Sequence, residues 1–192
     1  MTDTANAARG IRAGKLTVRG AIIAGTLAGL LYGINFGLQL LVGIFEMTGA
    51  TGFITGFTVP FFLAIASRSN KQWGTATVIW TLYSALAIPT LLMGQPGSYK
   101  IIVGLIGGIA YDVGYCGLRC RDFALYIALV LYVAALSLGF YAVNALGLMP
   151  EVAGGSVVKI LIVISSVFTI EGLMSTPLAI WFHEHRFRKF DR

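Results

Sequence analysis

AIIAGTLAGLLYGINFGLQLLVGIF, residues 21–45, runs for twenty-five positions without a charged side chain. At a rise of about 1.5 Å per residue, a helix over this stretch exceeds the ~30 Å hydrocarbon core of a bilayer. A barrel strand needs only about 9–11 residues and alternates apolar with polar positions. The run is too long and too evenly apolar for that, so it reads as a membrane helix. It also far exceeds a signal-peptide core and lacks a cleavage site, so it is expected to remain in the mature protein.

Working outward, charged and turn residues delimit five further apolar runs at 51–67, 73–93, 101–118, 123–149 and 157–182. The runs at 51–67 and 101–118 are short for a span, and the last two are long enough to tilt. The chain is 57% hydrophobic and 11% charged, with a mean hydropathy of +0.82, which excludes an ordinary soluble domain. The expected fold is an all-α membrane protein, a compact bundle of six transmembrane helices over residues 21–182. A basic segment, 1–20, precedes it and a basic tail, 183–192, follows.

The net charge of +6 comes from clusters between the apolar runs, where basic residues set orientation in a membrane rather than bind nucleic acid. Arg9, Arg12, Lys15 and Arg19 precede the first run, Arg68, Lys71, Arg119 and Arg121 lie in two connections, and Arg186, Arg188, Lys189 and Arg192 follow the last. Only Lys100 falls in a connection on the other side. Lys159 lies inside the sixth run near its outer end, where its stem can snorkel. Retention of positive charge on the cytoplasmic side places both termini there, in a multi-pass protein of the plasma membrane.

Gly25, Gly29, Gly33 and Gly37 form a ladder along the first run, and Ala24 and Ala28 form a second smooth face about 100° away. One of these faces is expected to meet an external partner. Gly52 with Gly56 and Gly104 with Gly108 mark close helix approaches, and Pro60, Pro89 and Pro177 are expected to kink their helices.

Ionisable groups inside spans are costly and are functional candidates by default. Asp112 and Glu171 fall near mid-membrane and Lys159 in the outer leaflet. Asn35 and Gln39 share a face of the first run, and Ser137, Tyr141 and Asn144 share one of the fifth. The inner halves lack charges and side-chain amides, a lopsidedness that predicts a pocket open to the outside rather than a through-channel. Trp80 and Tyr83, with Tyr111 and Tyr115, offer flat walls for a ring. The substrate-binding candidates are therefore Asn35, Gln39, Trp80, Tyr83, Asp112, Tyr141, Asn144, Lys159 and Glu171. The plainer alternative for the acids is a buried hydrogen-bonding role that stabilises the fold. Two acids favour a cationic or amine-rich ring such as a thiamine precursor, whereas Lys159 favours a carboxylate.

No nucleophile, base and orienter can be assembled, so no enzymatic activity and no cofactor are expected. His183-Glu184-His185 reads as a solvated interfacial cap, and Cys116 and Cys120 read as small apolar fillers, so no metal site is expected. A G-x-x-x-x-G-K-[ST] loop is missing, so transport driven by ATP would need another polypeptide.

Three stretches carry a resemblance: Ala24-Gly25-Thr26-Leu27-Ala28, the glycine-rich segment from Gly104 to Asp112, and Pro177 ahead of the basic tail. With the six-run plan, the chain resembles the S components of energy-coupling-factor vitamin transporters. That resemblance implies a subunit that captures a vitamin-like ligand outside. It further implies docking, through Ala24 and Ala28, on a transmembrane coupling subunit that works with two ABC-type ATPases. The loop at residues 46–50 is short for that family, in which it often caps the pocket. The competing readings are a self-sufficient proton-coupled carrier and a structural subunit of a larger membrane complex.

Overall fold

Wherever water is excluded, an apolar run must satisfy its N–H and C=O groups within itself, and each of the six runs contains a helix. The computed structural model of the protein describes residues 14–44, 50–148 and 157–187. The helices are α1 (Val18–Ile44), α2 (Ala50–Asn70), α3 (Thr75–Leu86), α4 (Tyr99–Gly117), α5 (Asp122–Ala145) and α6 (Val157–Phe182), and a π-helical turn, His183–Phe187, ends the described chain. Four of them, α1, α4, α5 and α6, are long and apolar enough to cross a membrane. Their outward surface is greasy: Ile22, Leu30, Leu138, Ile162, Val163 and Met174 are all exposed.

The third run departs from the expected 73–93. Its helix covers twelve residues and ends at Leu86. Pro89 has no N–H to continue the ladder and disfavours helical geometry at Ile88, so the chain breaks there rather than kinking. Pro60 and Pro177, in contrast, lie inside α2 and α6.

Each helix packs against two neighbours in the order α1, α3, α4, α5, α6, α2, which closes on α1; α2 also reaches α3 and α5. The interior is aromatic. Trp80 and Tyr83 stack at 4.9 Å between centroids, Tyr132 meets Trp80 edge-on at 5.5 Å, and Tyr111 meets Tyr132 edge-on at 6.2 Å.

The tightest seam joins α3 to α4. Lys100, Gly104, Gly108 and Asp112 recur every four residues and so share one face of α4. A Cβ at Gly108 would lie 2.5 Å from the Thr77 Cα, and one at Gly104 would strike the Ser84 hydroxyl, so the two backbones approach at the glycines. At one end of this face the Asp112 carboxylate accepts from the backbone N–H groups of Ala76 (3.1 Å) and Thr77 (2.9 Å) and from the Thr77 hydroxyl (2.6 Å). At the other end the Lys100 ammonium donates to the carbonyls of Ala87 (2.9 Å), Thr90 (2.6 Å) and Leu92 (2.6 Å). Lys100 was expected in an outer connection; it lies instead in the first turn of α4, fully buried.

Among the described residues, Lys15, Arg68, Lys71, Arg119 and Arg121 gather at one end of the bundle. There β1 (Gly14–Lys15) pairs in parallel with β2 (Gln72–Trp73), and the Thr17 N–H donates to Gln72 Oε1 at 3.0 Å. Arg68 spans the same end. Its guanidinium engages both carboxylate oxygens of Asp122 (3.1 and 3.2 Å), Glu184 (2.9 Å) and the Ile180 carbonyl (2.9 Å), tying α2 to α5, α6 and the π-helical turn.

Candidate functional site

Of the two mid-span acids, Asp112 is committed to α3. It is 1% exposed and its three acceptor contacts all go to the first turn of that helix, whose unpaired N–H groups and positive dipole end favour an anion. Glu171 stands differently. It is 9% exposed, and both carboxylate oxygens are shut off from solvent with no hydrogen-bond partner among the described residues. Its carboxylate lies against Gly56 of α2, where any Cβ would collide with Oε2.

Glu171 also lines a groove of about 410 Å³ between α1, α2 and α6, whose other walls are Leu38, Phe53, Ile54, Phe57 and Thr58. The groove is a shallow, almost wholly apolar depression rather than an enclosed cavity. Thr58 hydrogen-bonds Asn35 Oδ1 (2.9 Å) and the Ile54 carbonyl (2.7 Å), while Asn35 Nδ2 donates to the Leu31 carbonyl (3.1 Å). Asn35 is thus buried one layer behind the groove and held in a fixed orientation.

The remaining candidates are dispersed. Gln39 is half-buried one turn along α1 from Asn35. Tyr141 and Asn144 sit on α5, across the ring from α1, with Tyr141 exposed on the bundle surface. Ser137, on the same stripe, meets Ser165 of α6 at 2.5 Å between hydroxyl oxygens. Trp80 and Tyr83 turn their ring faces to each other, so they build the closed core rather than the groove wall. The Trp80 indole nitrogen nevertheless has no hydrogen-bond partner among the described residues. Lys159 belongs to the first turn of α6, and its side chain lies outside the described residues, as does the connection at 45–49.

Phe53, Ile54, Phe57 and Thr58 were not singled out from the sequence. A signal was present in Thr51-Gly52-Phe53-Ile54-Thr55-Gly56-Phe57-Thr58, where Thr-Gly-Phe occurs twice at a spacing of four. That spacing aligns both phenylalanines, and separately both glycines, on helix faces.

The docking face on α1 requires a correction. Ala24 and Ala28 are fully buried, on the same inward face as Leu31 and Asn35, so they are not available to another protein. The outward small-residue face is the glycine ladder: at Gly29, Gly33 and Gly37 a Cβ would meet nothing within 4 Å. The sequence offered two smooth faces, and burial of the alanines against the chain's own helices leaves the glycines outside.

His183 is buried and the exposed His185 ring stacks on Trp181 at 4.6 Å. No group of three metal-ligating side chains occurs among the described residues. No protein-family model, no curated protein and no solved structure matches the chain.

Proposed function

We propose that the protein is the substrate-binding subunit of an energy-coupling-factor type importer, with six membrane spans and both termini cytoplasmic. In this reading it captures a vitamin-like micronutrient and depends on a coupling subunit and two ATPases to deliver it. The observation that carries the binding role is the Glu171 carboxylate, buried and without a hydrogen-bond partner among the described residues, on a residue that lines an apolar groove. A buried acid left unpaired costs stability, and a protein that retains one has a use for it.

Two further features support dependence on partners. The described chain carries a glycine face open to another helix, and the sequence holds no nucleotide-binding loop. The gathering of Lys15, Arg68, Lys71, Arg119 and Arg121 at one end of the bundle agrees with that end facing the cytoplasm. Lys100, at the opposite end, does not contribute to the charge rule because it is buried.

The test is affinity capture of the tagged protein from its native membranes in mild detergent, followed by native mass spectrometry. The expected result is a complex with one transmembrane protein and two ATP-binding chains, and a released small molecule at one per chain. A purified protein that moves solute or protons across liposomes by itself would replace this reading with the proton-coupled carrier. Capture of an assembly with no ATP-binding chain and no small molecule would replace it with the structural subunit.

A further inference from the structure

We infer that the Glu171 groove selects an organic cation: a ligand with an ammonium or protonated ring-nitrogen head and an apolar or aromatic body. This rests on the reading of the chain as a small-molecule binding protein and names the ligand class of that same site.

The argument starts from the inventory of polar groups. Asn35, buried behind the groove and not one of its walls, gives one amide N–H to the Leu31 carbonyl, and Thr58 spends its single proton on Asn35 or Ile54. What remains unspent beside the groove is acceptor capacity: the two oxygens of Glu171, which rest out of solvent against Gly56, and the remaining lone pairs of Thr58. A site of acceptors calls for a ligand of donors. The other walls, Leu38, Phe53, Ile54 and Phe57, are apolar, so the body of the ligand must be apolar as well.

Charge decides between a neutral donor and a cation. An ionised carboxylate out of water is costly unless a counter-charge joins it, and among the described residues no basic side chain pairs with Glu171. Arg68 is fixed on Asp122 and Glu184 at the end of the bundle, and Lys100 on three carbonyls of α3's end. A ligand cation supplies the missing charge. Phe57 lies in the same wall, and an aromatic face beside a carboxylate adds a second attraction for a cationic head and none for an anion. The missing Cβ at Gly56 leaves room for the carboxylate to rest against α2, and the inference requires the Glu171 side chain to turn from there toward the groove it lines when the ligand arrives.

The test uses three probes of one shape: 4-phenylbutylamine, 4-phenylbutanol and 4-phenylbutyrate. Binding to the full-length protein in phosphatidylcholine nanodiscs at neutral pH is measured by equilibrium dialysis against empty nanodiscs. The expected result is saturable amine binding, one per chain, at least tenfold tighter than the alcohol or the carboxylate. Glu171→Gln, shown folded by circular dichroism, is expected to bring the amine down to the alcohol. Equal affinity for the three probes, preference for the carboxylate, no saturable amine binding at millimolar concentration, or a folded Glu171→Gln protein that keeps its amine preference each overturns the inference. If Glu171→Gln does not fold, the selectivity of the wild-type protein decides alone. Amine-selective binding by a protein that captures no coupling subunit leaves this inference standing and removes the importer; captured subunits with charge-blind binding do the reverse.

Discussion

Lys100 and Asp112 hold opposite ends of the same helix. They lie twelve residues apart on α4, about 18 Å along its axis, and α3 is itself twelve residues long, so each charge meets one terminus of α3. The signs suit the ends: the carboxylate takes the N-terminal N–H groups and the ammonium takes carbonyls at and beyond the C-terminus. The arrangement answers the problem Pro89 creates, because the carbonyls of Thr90 and Leu92, beyond the break, take their donor from Lys100 rather than from a continued helix.

Removing either charge strands the partners it serves. Lys100→Met takes the ammonium from the Thr90 and Leu92 carbonyls, while that of Ala87 keeps the Thr90 N–H and hydroxyl, and Asp112→Asn exchanges a charged acceptor for a weaker neutral one that also carries donors. Each is expected to cost about 1–3 kcal/mol, read as a lowered Tm by circular dichroism in detergent. The double variant is expected to cost less than the two single losses together, because α3 undocks as one unit once either end is free. Full additivity would show the two ends to be independent.

The seam between the charges makes its own prediction. Gly108→Ala puts a Cβ 2.5 Å from the Thr77 Cα, backbone that cannot rotate away, and is expected to destabilise by about 1–3 kcal/mol. Gly33→Ala, on the open face of α1, meets nothing and is expected to be neutral or to stabilise by up to about 1 kcal/mol through helix propensity. Thermal unfolding of the two proteins side by side checks the contrast, and a similar loss at both positions would contradict it.

The six helices were legible because hydrophobic run length is a direct physical signal, and the gathered basic end follows from the clusters between the runs. The early end of α3 was carried by Pro89, a residue visible in the sequence whose effect depends on whether a neighbour such as Lys100 can satisfy the exposed carbonyls. The four-residue recurrence of Lys100, Gly104, Gly108 and Asp112 was equally visible. It was read in parts, with the glycines as packing, the acid as binding and the lysine as a connection, since nothing local says which helix faces that stripe. The same limit separates Ala24 and Ala28 from the glycine ladder, and Glu171 from Asp112: similar residues in the sequence are divided by tertiary partners.

Arg68 is expected to be irreplaceable by lysine. Its fork meets both oxygens of Asp122 while still reaching Glu184 and the Ile180 carbonyl, and a single ammonium cannot span that set. Arg68→Lys is expected to cost about 1–2 kcal/mol. Asp122 and Glu184 are about half exposed, so part of the loss should fade at high ionic strength, where the ion pairs are screened in the wild type as well. A wild-type Tm that is lowered by salt while that of Arg68→Lys is not would bear this out; identical salt responses would place the value of Arg68 in the carbonyl contact alone.

The two smooth faces of α1 can be told apart by bulk. Leucine at Gly29 and Gly33 projects into open space, so Gly29→Leu with Gly33→Leu should leave the fold and the binding of a small ligand unchanged. If the glycine ladder is where another membrane protein docks, the same pair of changes should abolish co-purification of that protein and any uptake that depends on it, because close backbone approach needs the missing side chains. Ala24→Leu and Ala28→Leu act on a fully buried face and should lower Tm by overpacking, about 1–3 kcal/mol each. Co-purification that survives leucine on the ladder, with the fold intact, would move the docking surface off α1, since its opposite face is already closed by the chain's own helices.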